Sequence, residues 1–192
     1  MKTNRLEAFS DGVLAIIITI MVLELDAPEG VSLNALVPEI PVFISYLLSF
    51  VYVGIFWNSH HHLFQATKRV NGKILWANLH LLFWLSLIPF TSAWMGEHHL
   101  TPAPVALYGF ILLMSGVAFS ILQIVIIRNH GDDFELKEAL GKGTKEKISV
   151  AIYLIGFIMS YLFPLVAMTC YVIVALIWIV PDRRIENSIA RD

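Results

Sequence analysis

Two carboxylates, Asp11 and Glu24, bracket twelve uncharged residues in the opening stretch Arg5-Leu6-Glu7-Ala8-Phe9-Ser10-Asp11-Gly12-Val13-Leu14-Ala15-Ile16-Ile17-Ile18-Thr19-Ile20-Met21-Val22-Leu23-Glu24. As a helix those twelve span roughly 18 Å, whereas the hydrocarbon core of a bilayer is about 30 Å thick. A helix crossing here must recruit residues before Asp11, which puts that carboxylate inside the membrane boundary. An ionisable group at such depth faces protein or a water-filled cavity and has a partner. Arg5 lies six residues earlier, about 9 Å along the axis and about 120° around it, so both residues are expected to bond other helices or other subunits. His60, His61 and His62 at the inner end of the second apolar run, with Asn78 and His80 further on, are the side chains available. The plainer expectation is an inner-leaflet cap, with Arg5 snorkelling and Ser10 and Asp11 satisfying helix-end donors.

On the same helical wheel Gly12, Ile16, Thr19, Ile20 and Leu23 fall within an arc of roughly 100°. Around an axis shared by several copies, this stripe stacks into rings. Ile16, Ile20 and Leu23 make apolar constrictions, and Thr19 makes a hydroxyl ring between them. Apolar rings gate by dewetting, and rings of oxygen partly replace an ion's hydration shell. The competing expectation is a stripe that faces lipid or packs.

The histidines allow a second chemistry, because imidazole suits transition metals and haem. Adjacent helical residues point about 100° apart, however, so His60, His61 and His62 cannot all face one ion without unwinding. A third chemistry is a proton-coupled carrier with Asp11 or Glu24 as the relay. Carriers of that kind usually show internal repeats and broken helices at mid-membrane, and here Pro89 is the one candidate break and no repeat of the first span is evident.

These residues need elements to hold them, and the composition says which. The chain has 192 residues, 57% hydrophobic and 15% charged, with a mean hydropathy of +0.73; soluble domains carry about 25% charged residues. The apolar residues come in long runs with the charges in the gaps, so the fold class is an all-α, polytopic membrane protein with the lipid bilayer as its solvent. Six helices are expected, near 5–25, 37–59, 74–94, 104–127, 148–162 and 164–180, in one transmembrane domain covering 1–192. Phe163 and Pro164 separate the last two. Gly54, Ser115, Gly116 and Gly156 are expected to permit close helix approach.

Lysines and arginines test that count independently. With both ends inside, the inner segments hold Lys2, Arg5, Lys68, Arg69, Lys73, Arg128, Lys137, Lys142, Lys145, Lys147, Arg183, Arg184 and Arg191, which is all 13. The outer connections hold acids, among them Glu24, Asp26, Glu29, Glu39 and Glu97, a segregation that predicts two cytoplasmic termini. A formal net charge of -2 argues against nucleic acid as a partner. The single cysteine, Cys170, is expected to pack. Glu7 and Asp11 interrupt the first apolar run, against a cleaved signal peptide. The loop 129–147 mixes both charge signs and reads as a short solvated helix or a flexible link.

Arg5-x-x-x-Phe9-Ser10-Asp11 opening the first of six spans resembles the signature of the transmembrane protein 175 family of potassium channels. Gly12-Val13, Ala15-Ile16, Leu23-Glu24 and Trp57-x-x-His60-His61 have a similar place in that family. The resemblance implies a cation channel, not an enzyme, with no classical filter loop, and this chain has no Thr-Val-Gly-Tyr-Gly segment. It further implies a homotetramer in a prokaryotic cell membrane whose first helices line the pore, conducting potassium and needing no cofactor or bound metal. By position, Ile16, Ile20 and Leu23 would be constriction residues and Thr19 a polar ring favouring potassium. Arg5, Phe9, Ser10 and Asp11 would lock the inner ends of the pore helices together, with Trp57, His60 and His61 as partners, while Glu24 and Asp26 would line an outer vestibule.

Overall fold

The computed structural model describes residues 3–28, 30–130 and 144–179, and everything in them that is regular is helical. The helices are α1 (Thr3–Leu23), α2 (Ile40–Gln65), α3 (Gly72–Ser86), α4 (Ile88–Glu97), α5 (Pro102–His130), α6 (Thr144–Met159) and α7 (Pro164–Ile179), with a short 3-10 turn at Leu33–Leu36. Their backbone groups are satisfied within each segment, as a chain in lipid requires. Lys2, Glu29, the charged loop over 131–143, Val180 and the arginines at 183, 184 and 191 lie outside the described residues.

Among the described residues, four helices are long and apolar enough to cross a membrane: Thr3–Leu23, Ile40–Gln65, Gly72–Glu97 and Pro102–His130. The third of these is α3 and α4 together. Pro89 has no N–H to offer the Leu85 carbonyl, so the helix breaks just before it. The Leu87 N–H turns instead to the Trp84 carbonyl at 3.2 Å. α6 and α7 have 16 residues each, about 24 Å apiece against a core of about 30 Å. They form a hairpin in which the Phe163 N–H reaches the Met159 carbonyl at 2.6 Å and Pro164 opens α7, where its missing N–H costs nothing.

Most boundaries differ by a few residues from those expected: α1 starts at Thr3 and ends at Leu23, α2 starts at Ile40, α5 runs Pro102–His130 and α6 runs Thr144–Met159. α2 does not end at Ser59 but runs on to Gln65, because its last polar turns find partners across the bundle, as described below. α3 starts at Gly72, two residues early, where the Asn71 side chain accepts the Ile74 N–H at 3.0 Å and caps the helix.

α5 is the central post, packed against α3, α4, α6 and α7, while α1 leans chiefly on α2, α3 and α4. Tyr52, Tyr108 and Tyr171 are fully buried in the core, and each hydroxyl has a partner, as burial demands. Tyr52 donates to the Tyr171 carbonyl, Tyr171 to the Val105 carbonyl, and Tyr108 meets Ser49 at 3.0 Å. The Tyr171 ring lies so close over Gly109 and Gly156 that a Cβ at either would collide with it. Gly156 therefore permits close approach as expected. Gly54 does not, since a Cβ there would meet nothing within 4 Å.

Candidate functional site

α1 buries one stripe, Leu6, Ser10, Leu14, Ile17 and Met21, at the spacing of a single helical face. Two polar clusters tie its first half to its neighbours. In the buried one, the Asn78 amide donates to Ser10 Oγ at 2.9 Å, and Ser10 Oγ–H donates to the Leu6 carbonyl at 2.9 Å. Asn78 has its carbonyl oxygen left to accept from His60 Nε2–H at 2.8 Å. The network thus fixes His60 as the Nε2–H tautomer. Its Nδ1 is buried without a partner, as is that of His62. Ser10, Asn78 and His60 are each 1% exposed or less, so α1, α3 and α2 are pinned at one point in a region where water does not compete.

The second cluster is a ladder. Trp57 Nε1–H donates to Asp11 Oδ1 at 3.1 Å, and His61 Nδ1 meets Glu7 Oε1 at 2.8 Å. Glu7 and Asp11 are four residues apart on α1, and Trp57 and His61 are four apart on α2, so two antiparallel helices meet in two matched rungs. The Trp57 and His61 rings stack with centroids 6.2 Å apart and planes at 16°. Gln65 caps the arrangement, its amide reaching His61 Nε2 at 2.8 Å.

Asp11 therefore has the partner its depth requires, on another helix and not on Arg5. Ser10, Asp11, Trp57, His60 and His61 come together; Arg5 and Phe9 do not. Both are exposed, and among the described residues Arg5 forms no ion pair. The cap expectation for Ser10 and Asp11 is corrected, because α1 already starts at Thr3 and Ser10 donates to a carbonyl instead of accepting an end N–H. In the sequence Glu7 stands only as an interruption of the first apolar run; the signal of its role here is the four-residue step to Asp11, matched by Trp57 and His61.

The histidines do not converge on an ion. His60 and His61 are committed to different helices, and His80 accepts from Trp84 Nε1–H at 2.9 Å. Among the described residues, no group of three His, Cys, Asp or Glu side chains is arranged to hold a metal.

The opposite face of α1 is exposed among the described residues. Ile16 is 58% exposed, Ile20 41% and Leu23 78%, and Gly12 and Thr19 are exposed between them. Thr19 Oγ1–H donates to the Ile16 carbonyl at 2.8 Å, a bond common for helical threonines that leaves the oxygen lone pairs directed away from the helix. Glu24 and Asp26 are exposed just beyond the end of α1.

Residues 5–89 match the family model for the endosomal/lysosomal potassium channel TMEM175. A potassium channel of Chryseobacterium sp. (strain P1-3) is 57% identical over 189 residues, covering 98% of each chain. This chain belongs to the TMEM175 family. TMEM175 proteins are ion channels, not enzymes; the family model covers residues 5–89 and the Chryseobacterium relative aligns over nearly the whole chain. A potassium channel of Chamaesiphon minutus is 29% identical over 84% of this chain and 85% of its own. The crystal structure of a lysosomal potassium-selective TMEM175 homolog from that organism superposes with a TM-score of 0.80 at 26% identity, over 92% of this chain and 95% of the other. The rat endosomal/lysosomal proton channel TMEM175 is 28% identical over 66% of this chain, which covers 26% of the rat protein.

Proposed function

We propose that this protein is a potassium-permeable, leak-type cation channel, a homotetramer whose conduit runs where four copies of α1 meet around an axis. The observation that carries the reading is the unoccupied face of α1, where Ile16, Ile20 and Leu23 project from the subunit with Thr19 among them. A helix buried on one stripe only, within a family of channels, has its other face for lipid or for copies of itself. An ordered alternation of branched apolar and hydroxyl side chains serves the second purpose.

In this reading Ile16, Ile20 and Leu23 constrict the path. Thr19 turns oxygen lone pairs toward the ion because its proton is committed to the backbone. Selectivity for potassium over sodium is modest, since a greasy pore binds either ion weakly. Glu24 and Asp26 concentrate cations at the outer mouth. The Ser10–Asn78–His60 and Asp11–Trp57 contacts hold α1 at a fixed angle, and Arg5 and Phe9, exposed on the single chain, engage neighbouring copies. The chain crosses the cell membrane six times with both termini in the cytoplasm, as its lysines and arginines are distributed. Permeant potassium is the only ligand required.

Bi-ionic recording from purified protein in planar bilayers tests this. Passive current down the ion gradient, with a reversal potential favouring potassium, is expected; obligatory proton coupling and saturation would instead select a carrier built on Asp11 or Glu24. Ile16→Asn wets the constriction and is expected to raise leak current or move the reversal potential. Unchanged conductance and reversal potential remove Ile16 from the gate.

A further inference from the structure

The turn between α2 and α3, residues 66–71, is held down at both sides. On one side Thr3 Oγ1–H, at the start of α1, donates to the Thr67 carbonyl at 3.1 Å. On the other the C-terminal end of α5 grips it: Asn71 donates to Asn129, and Asn129 Nδ2–H donates to the Arg69 carbonyl at 3.3 Å. His130 is the centre of that grip. Its Nε2 lies 3.0 Å from the Lys68 backbone nitrogen and 3.3 Å from that of Arg69, while its Nδ1 lies 2.9 Å from the Ile126 carbonyl.

These partners leave one protonation state. A carbonyl only accepts, so Nδ1 carries hydrogen and donates to Ile126. Two backbone N–H groups only donate, so Nε2 is a bare lone pair accepting both. Adding a proton to Nε2 turns the acceptor into a third donor aimed at two others, and places a positive charge among Lys68 and Arg69 on the turn, Lys73 at the start of α3 and Arg128 on α5. The neighbouring helices add Arg5 and Glu7 on α1, with Glu7 engaged by His61, His61 and His62 on α2, and Lys145, Glu146 and Lys147 at the start of α6, where Glu146 accepts from Gln123 of α5. Asp132 and Asp133 follow in sequence, outside the described residues.

We propose that His130 is a proton-operated latch: as a neutral imidazole it clamps the α2–α3 turn to α5, and protonation at Nε2 releases the turn. The latch is closed where the imidazole is neutral and opens as pH falls. The released turn lies directly between His61 and Asn78 in the chain and is bonded to the first residue of α1, so opening slackens the hold on that helix at the end carrying the Arg5–Asp11 motif. The consequence for ion flow rests on the channel reading; the latch itself does not.

Amide hydrogen exchange at Lys68 and Arg69, measured on the full chain in lipid nanodiscs and corrected for intrinsic pH dependence, reads the latch directly. Protection is expected to fall about fivefold or more as the buffer is taken from neutral to acidic pH. In His130→Gln, whose Oε1 has similar reach and does not titrate, it is expected to stay level; in His130→Ala it is low throughout. Protection that is flat in the unmodified protein, or that declines equally in His130→Gln, overturns the latch. Should a variant fail to fold, the unmodified protein alone decides. Potassium flux into vesicles, acidified on both faces, is expected to change with pH in the unmodified protein and not in His130→Gln. Flux that keeps its pH dependence in His130→Gln takes the latch out of gating, whereas an opening latch with no flux at any pH leaves the latch and removes the channel reading.

Discussion

α1 and α5 are both long apolar helices, yet they occupy opposite situations. α5 buries consecutive residues, Pro104–Ala106 and Ile111–Leu113 among them, because four other helices surround it. α1 buries one residue in every three or four. Hydropathy does not distinguish them. What does is the supply of neighbours: α5 packs against four helices of its own chain, leaving Phe110, Ile121 and Ile124 exposed, whereas α1 buries a single stripe.

The widest gap should appear within α1 itself. Leu14→Ala removes a side chain that is 1% exposed and is expected to lower subunit stability by about 2 to 5 kcal/mol. Ile16→Ala, two residues on, is expected to stay within about 0.5 kcal/mol while altering conductance. Thermal unfolding in detergent, paired with bilayer recording, separates the two, and an equal loss of stability would mean that the exposed ridge packs within the subunit after all. The next contrast sets α5 against α1. Gly109→Ala drives a methyl into Tyr171 and is expected to cost about 1 to 3 kcal/mol. Gly12→Ala finds open space and gains up to about 1 kcal/mol of helix propensity, read in the same melting experiment. The smallest effect is expected from Thr19→Val, nearly isosteric and exposed: stability within about 0.5 kcal/mol, with a shifted potassium-to-sodium permeability ratio. An unchanged ratio would take the hydroxyl ring out of selectivity.

Much of the helical framework was readable because apolar runs and Pro/Gly punctuation are local signals; Pro89 marked the break at Leu87, and Phe163-Pro164 marked the hairpin. The end of α2 was not readable in the same way. His60, His61 and Gln65 look like a polar exit from the membrane, and only their partners on α1 and α3 explain why the helix continues. Glycines show the same limit. Gly54 and Gly109 are the same letter in similar apolar runs, and which one lies under a tyrosine ring depends on helix rotation, which composition does not encode. Asp11 was legible as a group in need of a partner, because depth and charge are properties of one segment. The family resemblance offered Trp57 among the motif's partners, but its pairing with Asp11, and Glu7 as the second rung, emerge only when two segments are aligned antiparallel.

The hydrogen-bond chain from His60 through Asn78 and Ser10 stops at the Leu6 carbonyl, and this has a bearing on charge movement. Hopping of protons along a file of groups requires each member to take one up on one side and shed one on the other, as water does. An asparagine amide is a poor member of such a file, and a peptide oxygen at its end has nothing to hand onward. The buried cluster is therefore a fastening that grips three helices while offering hydronium no relay through them.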